Sequence, residues 1–253
     1  MRSIFLAIAF LAGLSGVAFG QTSLTSEIAP GGKLRVGMID ITVIGGVGTL
    51  VAEFIGRKLG TPVELKMYPN PEAYLQSFDK AEWDVAIGPR VLAPPDKVDS
   101  TPDIWNINLV YVAAPGKEFP DIASVDKSDV NVGTIRGAPS DRVLTREIKN
   151  AKIIRIPLSP TISADAANLL RSGTVDVFGA DSGVGYPIAE TLQGSHVLPG
   201  AFAIVRVAAS LPKGRSAAAQ DALAKFIDEA RTTGIVKEAI DAKGLQGVTV
   251  AAQ

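Results

Sequence analysis

Strand and helix signals alternate along the chain from Lys33 onward, and this alternation limits the possible folds more than any other feature. Lys33-Leu-Arg-Val-Gly-Met38 predicts a strand. Val47, Leu50, Val51, Phe54, Ile55 and Leu59 follow at helical spacing, and Gly60 and Pro62 end that helix. Val63 to Tyr68 is a second strand, Pro71 opens a short helix, and Asp84 to Gly88 is a buried strand. A loop with several prolines, Pro89 to Pro102, leads to an apolar strand at Ile107 to Ala114. The rhythm then restarts, with strands at Val130 to Thr134, Ile153 to Ile156, Val175 to Gly179 and Phe202 to Ala209. Helices fall after Ser140, at Ser163 to Arg171, near Gly183 to Leu192, after Ser216, and at Ile235 to Ala242. Regular alternation of this kind calls for largely parallel sheets with helices on both faces.

One unit occurs twice. Ala81-Glu-Trp-Asp-Val-Ala-Ile-Gly88 and Arg171-Ser-Gly-Thr-Val-Asp-Val-Phe-Gly179 each join a helix end, a tight turn, an Asp and a short buried strand ending in Gly. Two copies of one supersecondary unit, about 90 residues apart, predict two similar lobes rather than one sheet.

The N-terminus has the parts of a secretory signal peptide over residues 1–20. Arg2 supplies the charge, Ile4 to Leu14 the apolar run, and Ala18-Phe19-Gly20 the small residues for cleavage. The run is shorter than the roughly 20 residues a membrane span needs. The expected location is therefore the periplasm, with no lipid anchor, since the chain has no cysteine. Cysteine absence also removes disulfides, thiolate chemistry and Cys-built metal sites. A formal net charge of -1 argues against nucleic acid as a partner.

Ligands of parallel α/β sheets gather at the carboxyl ends of the strands, and four segments there are candidates. Asp40-Ile-Thr42, running into Gly45, Gly46 and Gly48, is either a turn that starts a helix or a glycine loop touching a solute. A nucleotide loop is not expected, because Val51 stands where a dinucleotide fingerprint needs its third glycine and no P-loop lysine follows. Arg90, just past a strand end, is either a carboxylate grip or a surface charge. Gly137 and Ser140 either present N–H and hydroxyl groups to the cleft or form a turn and helix cap. Asp181 either pairs with a cationic group or caps the next helix. Enzyme constellations are thin. His196 is the sole histidine, so no His cluster can hold a metal, and nothing near it resembles a nucleophile elbow. Trp83 and Trp105 are assigned to the lobe cores. No cofactor, metal site or catalytic residue is expected.

The order of segments resembles the bacterial extracellular solute-binding proteins of family 3, the type II periplasmic binding proteins of ABC importers. The likeness is carried by Leu34-Arg-Val-Gly37, Trp83-Asp-Val-Ala-Ile-Gly88, Lys97-Val-Asp-Ser100 with Asn108 to Val112, and Val132-Gly-Thr134 with Gly137. It continues through Gly173-Thr-Val-Asp-Val-Phe-Gly-Ala-Asp181, Ala208 to Gly214, and Gly234 to Ile240. The resemblance implies a two-lobed α/β fold, each lobe a mostly parallel sheet flanked by helices, joined by a two-strand hinge. It places lobe 1 at 33–110 and 198–253, lobe 2 at 111–197, and the hinges near Val110 to Ala114 and Val197 to Phe202. Asp181 matches the acidic position that receives the ligand amine in the family's amino-acid binders. Their arginine is missing: Leu92-Ala-Pro-Pro-Asp96 stands where it belongs, and Arg90 is the candidate substitute.

The resemblance implies a monomeric receptor that binds a small polar solute, amino-acid-like or an organic acid, and delivers it to an inner-membrane ABC permease. Two other readings share the fold: an accessory or sensory protein that binds a protein partner such as a dehydrogenase, and a periplasmic dehydratase-like lyase. The lyase needs an acid–base group in the cleft. Arg90 and Asp181 converging in a polar pocket would favour transport, and a closed or apolar cleft would favour a partner role.

Overall fold

A computed structural model describes residues 24–252. The expected signal peptide lies outside them. Among the described residues no helix is long and apolar enough to cross a membrane.

In chain order the elements are β1 (Leu34–Ile39), α1 (Thr42–Leu59), β2 (Val63–Tyr68), α2 (Pro71–Ser77), β3 (Val85–Pro89) and β4 (Val98–Ala113). Next come β5 (Asn131–Ile135), α3 (Pro139–Glu147), β6 (Lys152–Ile156), α4 (Ile162–Arg171), β7 (Val177–Asp181) and α5 (Ser182–Thr191). The chain closes with β8 (His196–Val197), β9 (Ala203–Pro212), α6 (Ala217–Thr232), α7 (Ile235–Ala242) and β10 (Val248–Val250).

The strands follow the order β2-β1-β3-β9-β4-β7-β5-β6, which is symmetric about its centre. On one side β1 runs parallel to β2 and β3; on the other β5 runs parallel to β6 and β7. Between them β4 and β9 run antiparallel. Each half thus has a parallel three-strand sheet with the first strand in the middle, and a long strand on its inner edge. This is the two-lobed arrangement expected from the repeat, but not as separate sheets: β4 and β9 join both halves into one hydrogen-bonded sheet.

The repeated unit does the same work in both lobes. Asp84 N–H donates to the Arg35 carbonyl at 2.8 Å, and its carboxylate accepts the Arg35 N–H at 2.9 Å. Asp176 N–H donates to the Asn131 carbonyl at 2.8 Å, and its carboxylate accepts the Asn131 N–H at 2.8 Å. Each aspartate therefore pins the start of one strand to the central strand of its lobe. Two residues further along, Gly37 and Gly133 leave room for a side chain from the repeat. A Cβ would stand 2.8 Å from Trp83 at Gly37 and 2.5 Å from Phe178 at Gly133.

β4 corrects the expectation of a loop up to Pro102. It is a 16-residue strand that pairs β9 from Val98 to Leu109 and β7 from Leu109 to Ala113. Pro102 sits at a register shift between Ser100 and Asp103, where a proline costs no ladder bond. The chain returns beside it: Leu198 N–H donates to Tyr111 O and Phe202 N–H to Leu109 O, both at 2.9 Å. The Tyr111 and Phe202 rings stack with centroids 4.4 Å apart.

Helix ends follow local chemistry. Gly60, at φ 66°, ends α1 after Arg57 and Lys58. Asn70 caps α2 and Ser216 caps α6. Helix α1 begins earlier than its apolar spacing predicts, so Gly45, Gly46 and Gly48 are helical. A Cβ at Gly48 would stand 3.1 Å from Met38 Sδ, and one at Gly45 3.1 Å from Met67 Cε. These glycines let the helix lie close on β1 and β2, and they do not form a loop.

Trp105, fully buried on β4, belongs to the lobe 1 core as expected, and its indole N–H donates to the Val43 carbonyl at 3.1 Å. Trp83 lies in a smaller lobe 1 cluster with Tyr74.

Candidate functional site

The carboxyl ends of β1, β2 and β3 face those of β5, β6 and β7 across a cavity of about 590 Å³. Its walls come from matching places in the two lobes. Ile39 stands four residues past Arg35, Ile135 four past Asn131, and both line the cavity. Pro89 ends β3 and Asp181 ends β7, each five residues past the aspartate of its repeat, and both line it. Ile107, Leu109 and Val205, from the two long strands, form the back. The lobes touch beside it, where a Cβ at Gly183 would stand 2.4 Å from Val43 Cγ1.

Four of the six candidate residues meet there: Asp40, Thr42, Ser140 and Asp181. Asp40 is exposed at the rim, and Thr42 opens α1. Ser140 is buried and does not cap its helix, because Pro139 already starts α3. Its hydroxyl bonds Thr134 Oγ1 at 3.0 Å, and Thr134 in turn donates to the Gly179 carbonyl at 2.9 Å. Asp181 is half-buried at the end of β7. Burial pushes its carboxyl up to about 6, against the pull of the Gly183 and Val184 backbone N–H groups.

The structure does not bring the other two to the cavity. Arg90 packs along the lobe 1 sheet, where its Nε donates to Asp103 Oδ1 at 2.7 Å and its Nη2 donates to the Thr101 carbonyl. β4 extends back to Val98, so it presents Thr101 and Asp103 to the guanidinium, an arrangement hidden by the expected loop. Gly137 has φ 73° and makes the turn after β5. Its N–H, expected to face a ligand, donates to Asp141 Oδ2 at 2.9 Å.

No protein-family model and no curated protein matches the sequence. Solved structures do match. A mutant of ArgBP from T. maritima is 15% identical, spans 87% of this chain and 99% of that one, and superposes with a TM-score of 0.67. The solute receptors for L-cysteine of Neisseria gonorrhoeae are 16% identical over 90% of this chain and 99% of theirs, with a TM-score of 0.68. The ancestral amino acid-binding protein AncCDT-1, a precursor of cyclohexadienyl dehydratase, is 18% identical over 86% and 97%, also at 0.68. The chain has the type II periplasmic binding protein fold. The likeness implied by the ordered motifs is confirmed at the level of architecture.

Sequence reasoning missed several residues of the lining, among them Asn70, Leu158, Ser159 and Ser163. Asn70 carried a signal in its place before Pro71, read only as the start of a helix. Its side-chain Oδ1 caps α2 by accepting the Ala73 N–H at 2.8 Å. Leu158 and Ser159 follow β6, whose carboxyl end faces the cavity like those of its neighbours.

Because Arg90 is committed to Asp103, Arg90→Ala is expected to leave the affinity of any cleft ligand within about twofold of wild type. It should cost roughly 1 kcal/mol of stability, as partly exposed ion pairs do. Calorimetric titration and urea unfolding of the variant test this, and a tenfold loss of affinity would return Arg90 to the site.

Proposed function

We propose that the protein is the periplasmic solute receptor of a family 3 ABC importer, and that it binds a small solute between its lobes without reacting with it. The observation that carries this reading is the cavity between the facing carboxyl ends of two equivalent sheets. Its volume lies in the range of small-molecule sites. We assign lobe 1 to 33–110 and 198–253, lobe 2 to 111–197, and the hinge to Leu109–Tyr111 with Leu198–Ala203. There β4 changes partner from β9 to β7 and the return chain crosses beside it. Closure would be a hinge motion biased by contacts from both lobes.

Binding is favoured over catalysis by the lining. Asp181 is the one group there with a carboxyl brought towards neutral pH. Among the described residues no Lys, Arg or His lines the cavity to stabilise a developing anion. His196 sits on β8, paired opposite Ala113.

The withdrawal of Arg90 and the many apolar residues in the lining favour the second reading, an accessory protein that docks a protein partner. The two separate by titration. The mature chain should gain thermal stability and become more compact by small-angle scattering with at least one small solute. A solute at about 100 times its Kd adds about 2.7 kcal/mol. If amino acids, organic acids, sugars and amines all leave both readouts unchanged, the receptor reading fails.

A further inference from the structure

The lining of the cleft has a clear charge sense. Its two ionisable side chains are carboxylates, Asp40 and Asp181, and among the described residues no side-chain cation lines it. Lys243 and Arg136 are not among the lining residues. The stem of Lys243 lies over Gly46, with Cε 3.8 Å from where a Cβ would be, and Arg136 is exposed after β5.

Helix N-termini also reach the cavity, and they attract anions. Here the chain's own carboxylates already meet them. Asp181 is the residue before α5, and Asp40 lies two residues before α1. Asp141 and Asp165 stand in the first turns of α3 and α4. Asp141 is offset by Arg155, whose Nε lies 2.7 Å from its Oδ1, and neither Asp141 nor Asp165 lines the cavity. Asp40 and Asp181 do line it with no cation among the described lining residues, so a ligand carboxylate would meet uncompensated negative charge there and an ammonium favourable charge.

The remaining walls specify the rest of the ligand. Ile39, Ile41, Ile107, Leu109, Leu158 and Val205 come from both lobes and call for an apolar body. Among the described residues no Phe, Tyr or Trp lines the cavity, so they form no aromatic cage of the kind that selects quaternary ammonium. Thr42, Asn70 and Ser140 add side-chain oxygens to the same lining, which suits an ammonium that still has N–H donors.

We propose that the cleft takes a small primary or secondary amine with an apolar body, its ammonium held by Asp181 with Asp40 at the rim, and that it rejects carboxylates and α-amino acids. This rests on the solute-receptor reading. It makes the charge of the ligand opposite to that of a solute gripped by an arginine, and it follows from which lobe carries the acid. Lobe 2 ends its strand in Asp181 where lobe 1 ends in Pro89.

The test is calorimetric titration of the mature chain at pH 7.5 with matched probes. The amines are 2-phenylethylamine, hexylamine and cyclohexylamine. The carboxylates are 3-phenylpropanoate and heptanoate, with L-phenylalanine as the zwitterion and choline as the quaternary cation. At least one amine should bind, and at least tenfold more tightly than its carboxylate, L-phenylalanine and choline. Asp181→Asn should weaken that amine about tenfold to hundredfold, the usual range for losing one charged hydrogen bond. Asp40→Asn should weaken it less, and circular dichroism would show both variants folded. If a carboxylate or L-phenylalanine binds as tightly as the amines, or Asp181→Asn binds the amine as wild type does, the ligand class is wrong while the receptor reading stands. If no probe of any charge binds, the amine proposal fails, and the receptor reading fails with it only if the wider screen of amino acids, organic acids and sugars is silent too.

Discussion

Asp181→Asn should make the ligand-free protein more stable at neutral pH, by about 2–3 kcal/mol. The Asp181 carboxyl, at about 6 in the folded chain against an ordinary value of 3.8, is held there by burial among apolar walls. A rise of this size corresponds to at most about 3 kcal/mol. The sign follows from proton linkage. Between pH 3.8 and about 6 the folded state holds the proton more tightly than the unfolded state, so wild-type stability falls as pH rises through this window. Above it the full penalty is present, and below it the penalty is gone. An amide at the same position never ionises. The variant's advantage should therefore be full at pH 7.5 and close to zero at pH 3.5. For a chain of this size it amounts to roughly 5–10 °C in Tm at neutral pH. Thermal unfolding of both proteins at the two pH values measures it. An advantage of equal size at both would show that the carboxyl is not held up by burial. The same variant is the one expected to lose amine binding, so stability and function would trade against each other at a single atom pair.

Asp84→Ala should cost about 3–4 kcal/mol. The Asp84 side chain is 1% exposed and accepts three hydrogen bonds, all from Arg35. It takes the Arg35 backbone N–H at 2.9 Å, Nε at 3.1 Å and Nη2 at 2.6 Å, while Asp84 N–H donates to the Arg35 carbonyl. Alanine leaves the N–H and the guanidinium without their acceptor, and losing one partner of a buried charged pair is costly. Asp84→Asn keeps an oxygen for the backbone N–H and should cost about half as much. Asp176→Ala, the counterpart in lobe 2, should cost about 2 kcal/mol, because its ionic partner Lys117 is largely exposed. Hydrogen exchange should localise each loss, with β1 and β3 loosened by the first and β5 and β7 by the second. An Asp84→Ala variant within 1 kcal/mol of wild type would sink this account of the repeat.

The residues that order the fold were legible because their signals are local. A period of 3.6 or 2 marks an element within one stretch of chain, and the Asp-bearing unit was visible as two similar strings. What these strings do was not legible. That Asp84 pairs with Arg35 and Asp176 with Asn131 depends on parallel strands brought together by a crossover helix.

The glycines after β1 show the limit from another side. A run of Gly near a helix start fits a phosphate loop or close packing equally well. Met38 and Met67, on two neighbouring strands, decide for packing. Arg90 shows it again. An arginine past a strand end faces the cleft only if nothing nearer claims it, and Asp103 claims it from a strand that prolines had disguised as a loop. The absence of an arginine from Leu92–Asp96 was readable at once; that nothing replaces it in the lining was not.

The cleft acid with which Asp181 was credited follows the same division. The sequence alone determined that an acidic residue follows a short buried strand in the second copy of a repeated unit, and that a proline follows it in the first. Only the tertiary structure decided that these two strand ends face each other, that the lining carries carboxylates and, among the described residues, no cation, and that burial lifts the Asp181 carboxyl. Composition and period are properties of the chain and survive unfolding. Facing, exclusion of water and the pairing of charges arise only when segments far apart in sequence come within a few ångströms, as Val43 and Gly183 do across the cleft.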